Sequence, residues 1–222
     1  MDRLFYFMGK RMLMCRRDTG AIGIGSLIIF ISMVLIAGIA ASILIQTSTT
    51  LEMQSLNTGF QTTESVASGI LIQAIEGYNS SGAIVRMAIE IKLKAGSPPI
   101  DLSTTVIEIS DPNTKYVLEY DLNNFTLSED IGGNIFNQNF YPSASKTTKY
   151  GIIVLYDSDG SVTSTSPIIN SGDHVILALD DVFGGIKPLT RVNGQVIPEI
   201  GSPAIILFTS PQTYTDAIME LQ

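Results

Sequence analysis

The chain is poor in the residues that most often carry out chemistry. Its 222 residues include one cysteine, Cys15, one histidine, His174, and no tryptophan. A single cysteine cannot close an intramolecular disulfide, and zinc sites draw several ligands from cysteine and histidine. Cys15 therefore reads as a residue without a chemical role. His174 opens the strand-like run HVILAL. With no second histidine and no usable thiol, it has no partner for a Cys–His or Ser–His–Asp system. The sequence thus points away from an enzyme and calls for no cofactor.

Two further absences are local. Proline does not occur before Pro98, and no Asp, Glu, Lys or Arg lies between Thr19 and Leu51. A bilayer core needs about 20 apolar residues in a helix, and Ala21–Ile45 meets that. With no proline to break it, a helix is expected from residue 21 to about 76, on the order of 84 Å at 1.5 Å per residue. A helix that long outruns the membrane, so about half of it must project.

Charge is distributed unequally. Residues 1–20 hold Arg3, Lys10, Arg11, Arg16 and Arg17 against Asp2 and Asp18, a net of +3. The whole chain has 13 basic and 21 acidic residues, so residues 21–222 keep 8 and 19, a net of −11. An acidic body of this kind repels phosphate backbones, which excludes nucleic acid as a partner. The basic cluster ahead of the apolar block predicts a cytoplasmic N-terminus and an external C-terminal domain.

Small residues punctuate the apolar block: Gly23, Gly25, Ser26, Gly38, Ala40, Ala41 and Ser42. Such residues let helix backbones approach closely. The dinucleotide pattern G-x-G-x-x-G is not met, because Ile28 stands where the third glycine belongs. Beyond the block, Leu56, Phe60, Thr63, Ala67, Ile70 and Ala74 recur at helical spacing. That stripe fits packing on copies of the same helix, or docking on the chain's own domain.

After the turn GYNSSG, Gly77–Gly82, the period becomes two. Strands are expected over 83–94, around Ile107 and Ile109, over 116–122, and at 150–156, 174–179 and 204–209. Asn193-Gly194 in RVNGQVI predicts a hairpin turn. Seven or eight strands with no helical pattern among them predict a β-sandwich. The fold class is therefore α+β: a long N-terminal α-helix with an apolar first half, then an all-β, immunoglobulin-like sandwich over 77–222.

Few surface motifs stand out. Asn79 and Asn124 head N-x-S/T sequons and are candidate glycosylation sites on an exported domain. DSDGS holds Asp157 and Asp159, weak candidates for a hard cation, but lacks the closing bidentate glutamate of a calcium loop. Asp180-Asp181 is a second acidic pair of the same standing.

The opening stretch, RRDTG followed by AIGIGSLIIFISMVLIAGIAASILIQT, resembles the N-terminus of archaeal flagellins, the archaellins. GDHVILALDD (Gly172–Asp181), PEIGSPAIILFTSPQTY (Pro198–Tyr214) and the final MELQ are similar to the C-terminal half of that family. The resemblance implies a leader over 1–20, cut between Gly20 and Ala21 by a prepilin-type peptidase. It further implies a single-pass membrane precursor, moved by an assembly ATPase and a membrane platform into an extracellular archaellum filament for swimming. In that filament Gly23, Gly25, Gly38, Ala41, Leu56 and Phe60 would face copies of the same helix. An adhesive type IV pilin shares this logic. A secreted or anchored binding module is a further possibility, since Gly38-x-Ala40 is spaced for an ordinary signal peptidase.

Overall fold

The computed structural model describes residues 2–142, 147–181 and 183–222, with the side chains of residues 2–19 and of Ala21 outside the description. Cys15 and the basic leader side chains therefore lie outside the described residues. The chain divides into two compact units, Met1–Gly59 and Phe60–Gln222.

One helix, α1, runs over Asp2–Ala67. It stops earlier than the periodicity predicts. Ser68 donates its N–H to Glu64 O at 2.8 Å, and Gly69 follows at φ 150°, outside the helical region. Ile70–Ser80 is then the first strand, β1. Ile70 and Ala74, expected on a helical stripe, sit in β1, where Ile70 is buried in the core. The misreading has a physical source: ILIQAIE offers apolar residues at both helical and strand spacing, and full-length pairing with the next strand decides between them. The β-domain consequently begins before residue 77, the expected boundary.

The remaining strands are β2 (Ala83–Leu93), β3 (Ile100–Asp101), β4 (Val106–Ser110), β5 (Lys115–Thr126), β6 (Lys149–Tyr156), β7 (Ile168–Ile169), β8 (His174–Asp180), β9 (Arg191–Ile197), β10 (Ala204–Thr209) and β11 (Ile218–Glu220). β1 and β2 are joined through Ser81 and Gly82, both at positive φ (57° and 84°), as a two-residue type I′ turn requires. The nine-stranded order is β10-β9-β4-β5-β6-β8-β2-β1-β11, with β3 and β7 paired separately. β5 belongs to both halves of that order. Its first residues, Lys115–Leu118, pair with β4, and from Glu119 onward it pairs with β6 in parallel.

Folding at β5 brings the two halves face to face. Ile75, Ile89, Ile91, Ile152 and Leu177 from one half share a single core with Ile107, Ile109, Val192, Val196 and Ile206 from the other. This is the expected sandwich, immunoglobulin-like in having two mainly antiparallel layers around one apolar filling. A second, smaller cluster lies on the outer face of the larger half. There Phe136, Phe140 and Tyr141 cover Ala88, Ile153, Ile176 and Ala178.

One sequence expectation fails inside this sheet. Asn193-Gly194 is not a turn; both residues lie within β9, between β4 and β10. A Cβ on Gly194 would stand 2.2 Å from Glu108 O. The glycine answers a close backbone approach and not a reversal of the chain.

Candidate functional site

Two regions depart from what an isolated, satisfied domain needs: the apolar helix and its foot. In the first unit every described side chain from Ile22 to Gly59 is exposed. Ile22 is 72% exposed, Phe30 68%, Ile36 67% and Leu44 69%. The segment Ile22–Ala67 is long and apolar enough to cross a membrane. Water is a poor solvent for such a surface, at roughly 25 cal/mol per Å² of apolar area.

The helix is also equipped for an apolar solvent. Ser26 Oγ donates to Gly23 O at 2.9 Å, and Ser32 Oγ to Ile28 O at 2.8 Å. Thr47, Thr49 and Thr50 donate to Leu44 O, Ile45 O and Gln46 O at 2.9–3.0 Å. These five hydroxyls are thus satisfied within their own helix, as burial in lipid or in a dry helix bundle demands. The glycines have no internal reason. A Cβ at Gly20, Gly23, Gly25 or Gly38 would meet nothing within 4 Å. Glycine in a helix costs about 1 kcal/mol relative to alanine, so the chain by itself gains nothing from keeping them. Ala41 lies on the same open surface, and Leu56 and Phe60 are 58% and 73% exposed. The Gly20–Ala21 bond lies within α1, with the Ala21 side chain outside the described residues.

The foot of the helix, within the second unit, is tightly built. Ser202 N–H donates to Ser68 O at 3.0 Å, and Ser202 Oγ reaches the same oxygen at 3.3 Å. Gly69 O accepts from Lys94 N at 3.0 Å, Gly69 N–H donates to Ser97 Oγ at 3.3 Å, and Lys94 Nζ donates to Ser202 Oγ. Gly69 and Ser202 form a parallel bridge. Glycine is obligatory on both sides. A Cβ at Gly69 would lie 2.6 Å from Ser202 Oγ, and one at Gly201, at φ 100°, would lie 2.6 Å from the Ser68 backbone. Gly201 and Ser202 belong to the PEIGSP run that carries the family resemblance, while Ser68, Gly69 and Lys94 bear no signal in the sequence.

The other sequence candidates are placed as follows. Asn79 is half-buried at the end of β1; its Oδ1 accepts from Gly82 N at 3.2 Å and its Nδ2 donates to Asp216 O at 3.4 Å. Asn124 is half-buried in β5 and donates to Asp121 Oδ2 at 2.8 Å, while the Thr126 of its sequon is buried. His174 Nδ1 lies 3.3 Å from Glu90 Oε1. Asp180 is buried and faces Arg86, with Arg86 Nε 3.9 Å from Asp180 Oδ1.

Asp157 and Asp159 are brought together with Asp173, their carboxylate oxygens within 4.8 Å of one another. Asp173 is the member that sequence reasoning missed. Oxygen ligands of this kind suit a hard cation such as Ca²⁺. In the chain alone they serve the loop. Asp157 accepts from Asp159 N (3.2 Å), Gly160 N (2.9 Å) and Val162 N (3.0 Å), and Asp173 accepts from Asn170 N at 2.8 Å. Hydrogen bonds from Asn170 and Ser161 hold the Asp159 carboxyl below its ordinary range.

Comparison with known proteins agrees with this architecture. The sequence profile of the family described as archaeal-type flagellin matches residues 20–208. The chain is 44% identical over 225 residues to flagellin B2 of Methanocaldococcus jannaschii, spanning 99% of this chain and 100% of that protein. The crystal structure of the archaeal flagellin FlaB1 from the same organism superposes with a TM-score of 0.64 at 33% identity, over 70% of this chain and 98% of that one. The archaeal flagellum of Methanospirillum hungatei shares the fold, at a TM-score of 0.62 and 14% identity over 89% of this chain and 98% of that one.

Proposed function

The chain belongs to the archaeal-type flagellin family, and on that footing we propose that it is a structural, non-enzymatic subunit of the archaellum filament, built to pass from membrane to polymer through its apolar helix. The observation that carries this reading is the Ile22–Gly59 surface. Its side chains are exposed and almost all apolar as far as Ile45, the hydroxyls of Ser26, Ser32, Thr47, Thr49 and Thr50 are bonded back to the helix backbone, and its glycines are uncrowded. Lipid tails and a bundle of like helices are similarly apolar solvents, so transfer between them avoids most of the cost of exposure to water. Small residues then allow close packing among copies.

The precursor spans the membrane once, with the basic residues 1–20 on the cytoplasmic side. A prepilin-type peptidase cuts between Gly20 and Ala21, and a family match beginning at residue 20 supports a leader ending there. A membrane platform and an assembly ATPase then drive insertion. The helices form the filament core and the β-domains its outer surface. The sequons at Asn79 and Asn124 lie in the exported domain, and both asparagines are half-buried and hydrogen-bonded.

The test is electron microscopy and N-terminal sequencing of filaments sheared from producing cells. A mature chain starting at Ala21 is expected. A start near Ala41, or recovery of the chain only as dispersed membrane monomers, overturns the reading.

A further inference from the structure

The two ends of the β-domain carry complementary features that the domain itself does not use. The pairings Ile70↔Leu93 and Ile91↔Val175, with the Gly69–Ser202 bridge, place the 94–99 loop and the 170–173 turn at the end where α1 arrives. The pairings Arg86↔Asp180, Ser110↔Lys115 and Arg191↔Thr209 place the loop after β8 at the opposite end.

That distal loop presents Lys187, Pro188 and Leu189, all exposed. Leu189 is at φ +59°, a left-handed conformation that a bulky residue adopts only under strain. The loop is nevertheless held firmly. Leu189 N–H donates to Pro211 O at 3.3 Å, and buried Ser210 donates its hydroxyl to Lys187 O at 2.7 Å while accepting from Thr190 N at 2.9 Å. The result is a braced tip with a leucine side chain 66% exposed. Internal hydrogen bonds hold the strained backbone, and the exposed leucine that this backbone presents is a pointer to an external contact.

At the helix end lies a recess of about 560 Å³, lined by Phe60, Thr63, Glu64, Ala67, Pro98 and Ser171. Phe60, Thr63, Glu64 and Ala67 are spaced three and four apart and share one face of α1. Its walls are largely apolar, with one carboxylate. Among the described residues neither Glu64 nor Lys187 has an ion-pair partner within the chain.

We propose that the Lys187–Leu189 tip of one copy seats in this recess of the next, with Leu189 against Phe60, Ala67 and Pro98 and Lys187 facing Glu64. The occupant is a second copy of the chain, because knob and socket have matching charge and lie at opposite ends of one domain. A contact of that kind is heterologous and leaves a free knob and a free socket after every addition, the condition for open-ended growth. The inference rests on the filament reading and adds a specific contact to it.

The experiment uses filaments from cells producing the full chain with Cys15→Ser, Leu189→Cys and Pro98→Cys, treated with the thiol oxidant diamide. A ladder of disulfide-linked multimers that collapses on reduction is expected, with neither single-cysteine chain giving it. Filaments that form but yield no ladder overturn the contact and leave the filament reading standing; absence of filaments from the unaltered chain overturns both. Should the cysteine pair block assembly, charge reversal decides. Lys187→Glu and Glu64→Lys should each lower the temperature at which filaments dissociate, and the double reversal should restore it. Single reversals without effect, or a double reversal that fails to restore it, refute the contact.

Discussion

Ser202 donates its backbone N–H to the carbonyl of Ser68 at 3.0 Å, joining residues 134 positions apart at the point where the helix becomes a strand. The last turn of a helix leaves carbonyls unsatisfied, and here a distant loop supplies the donor. The geometry is possible because Gly201, at φ 100°, passes within contact of the Ser68 backbone. Gly201→Ala forces a Cβ into that contact from a conformation L side chains rarely adopt. The expected cost is roughly 1–3 kcal/mol, read as a lower denaturant midpoint with the slope unchanged. Ser202→Ala, which keeps the backbone donor and loses only the hydroxyl contacts, should cost clearly less.

Arg86 does comparable work on the other side of the domain. Its guanidinium lies 5.0 Å from the Tyr78 ring centroid and 5.9 Å from that of Tyr141, and it donates to Phe136 O. Asp180 flanks it and accepts from Gln138 Nε2 at 3.2 Å. Arginine alone combines a flat cation for ring stacking with donors for a carbonyl. The 127–142 segment is thereby pinned over β2 and β8. Arg86→Ala removes the pin and leaves a buried carboxylate short of its counterion, a loss of roughly 2–4 kcal/mol. Limited proteolysis should show new cleavage in 127–142 before the sandwich itself is cut.

The pH response has a definite sign at each end. The Glu108 carboxyl is held below its ordinary range by hydrogen bonds from Lys115 and then Gln195. Asp111 is pushed up by burial, but the amides of Thr114 and Asn113 outweigh this and leave it low. Asp159 is lowered by Asn170 and Ser161. An acid with a depressed folded value stabilises the fold above its unfolded value, and that contribution is lost as pH falls through the folded one. Stability should therefore be level near neutrality and decline below the ordinary carboxylate values of 3.8 and 4.5. At the alkaline end, burial raises Tyr120 from 10.0 to about 12 and pushes Tyr150, which donates to Leu102 O and Thr105 O, further in the same direction. These groups stabilise fully below 10 and lose that contribution as pH rises toward the folded values. Melting temperature measured across both ranges checks the two arms, and Tyr150→Phe should flatten the alkaline one.

What the sequence made legible follows from period and from absence. Alternation in AIVRMAIEIKL and in KYVLEYDL located β2 and β5 because one face of each is buried. The uncharged, proline-free block located the helix. Failures came where the deciding partner is distant. ILIQAIE is ambiguous until β2 pairs with it. Asn193-Gly194 has the composition of a turn, yet Glu108 of β4 presses on the glycine. Asp173 completes an acidic cluster from 14 residues beyond Asp159 only because the β7–β8 turn carries it there. The foot of the helix was hidden for the same reason: Gly201 and Ser68 acquire meaning together.

Two kinds of glycine separate folding from assembly. At Gly194 the obstacle to a side chain is inside the domain, so Gly194→Ala should displace β4 from β9 and cost at least roughly 2 kcal/mol. At Gly38 a Cβ meets nothing in the chain, and alanine is the better helix former by about 1 kcal/mol. If the glycines of the apolar helix served only the single chain, Gly38→Leu would be neutral or favourable throughout. If they admit neighbouring helices, it should leave the melting of the β-domain unchanged and reduce the yield of filaments, while Gly38→Ala has a smaller effect in the same direction. Thermal melts and filament yields measured side by side on Gly194→Ala, Gly38→Ala and Gly38→Leu decide between the two. Full filament yield from Gly38→Leu would refute close helix packing at that position, because a leucine cannot occupy a contact built for a bare backbone.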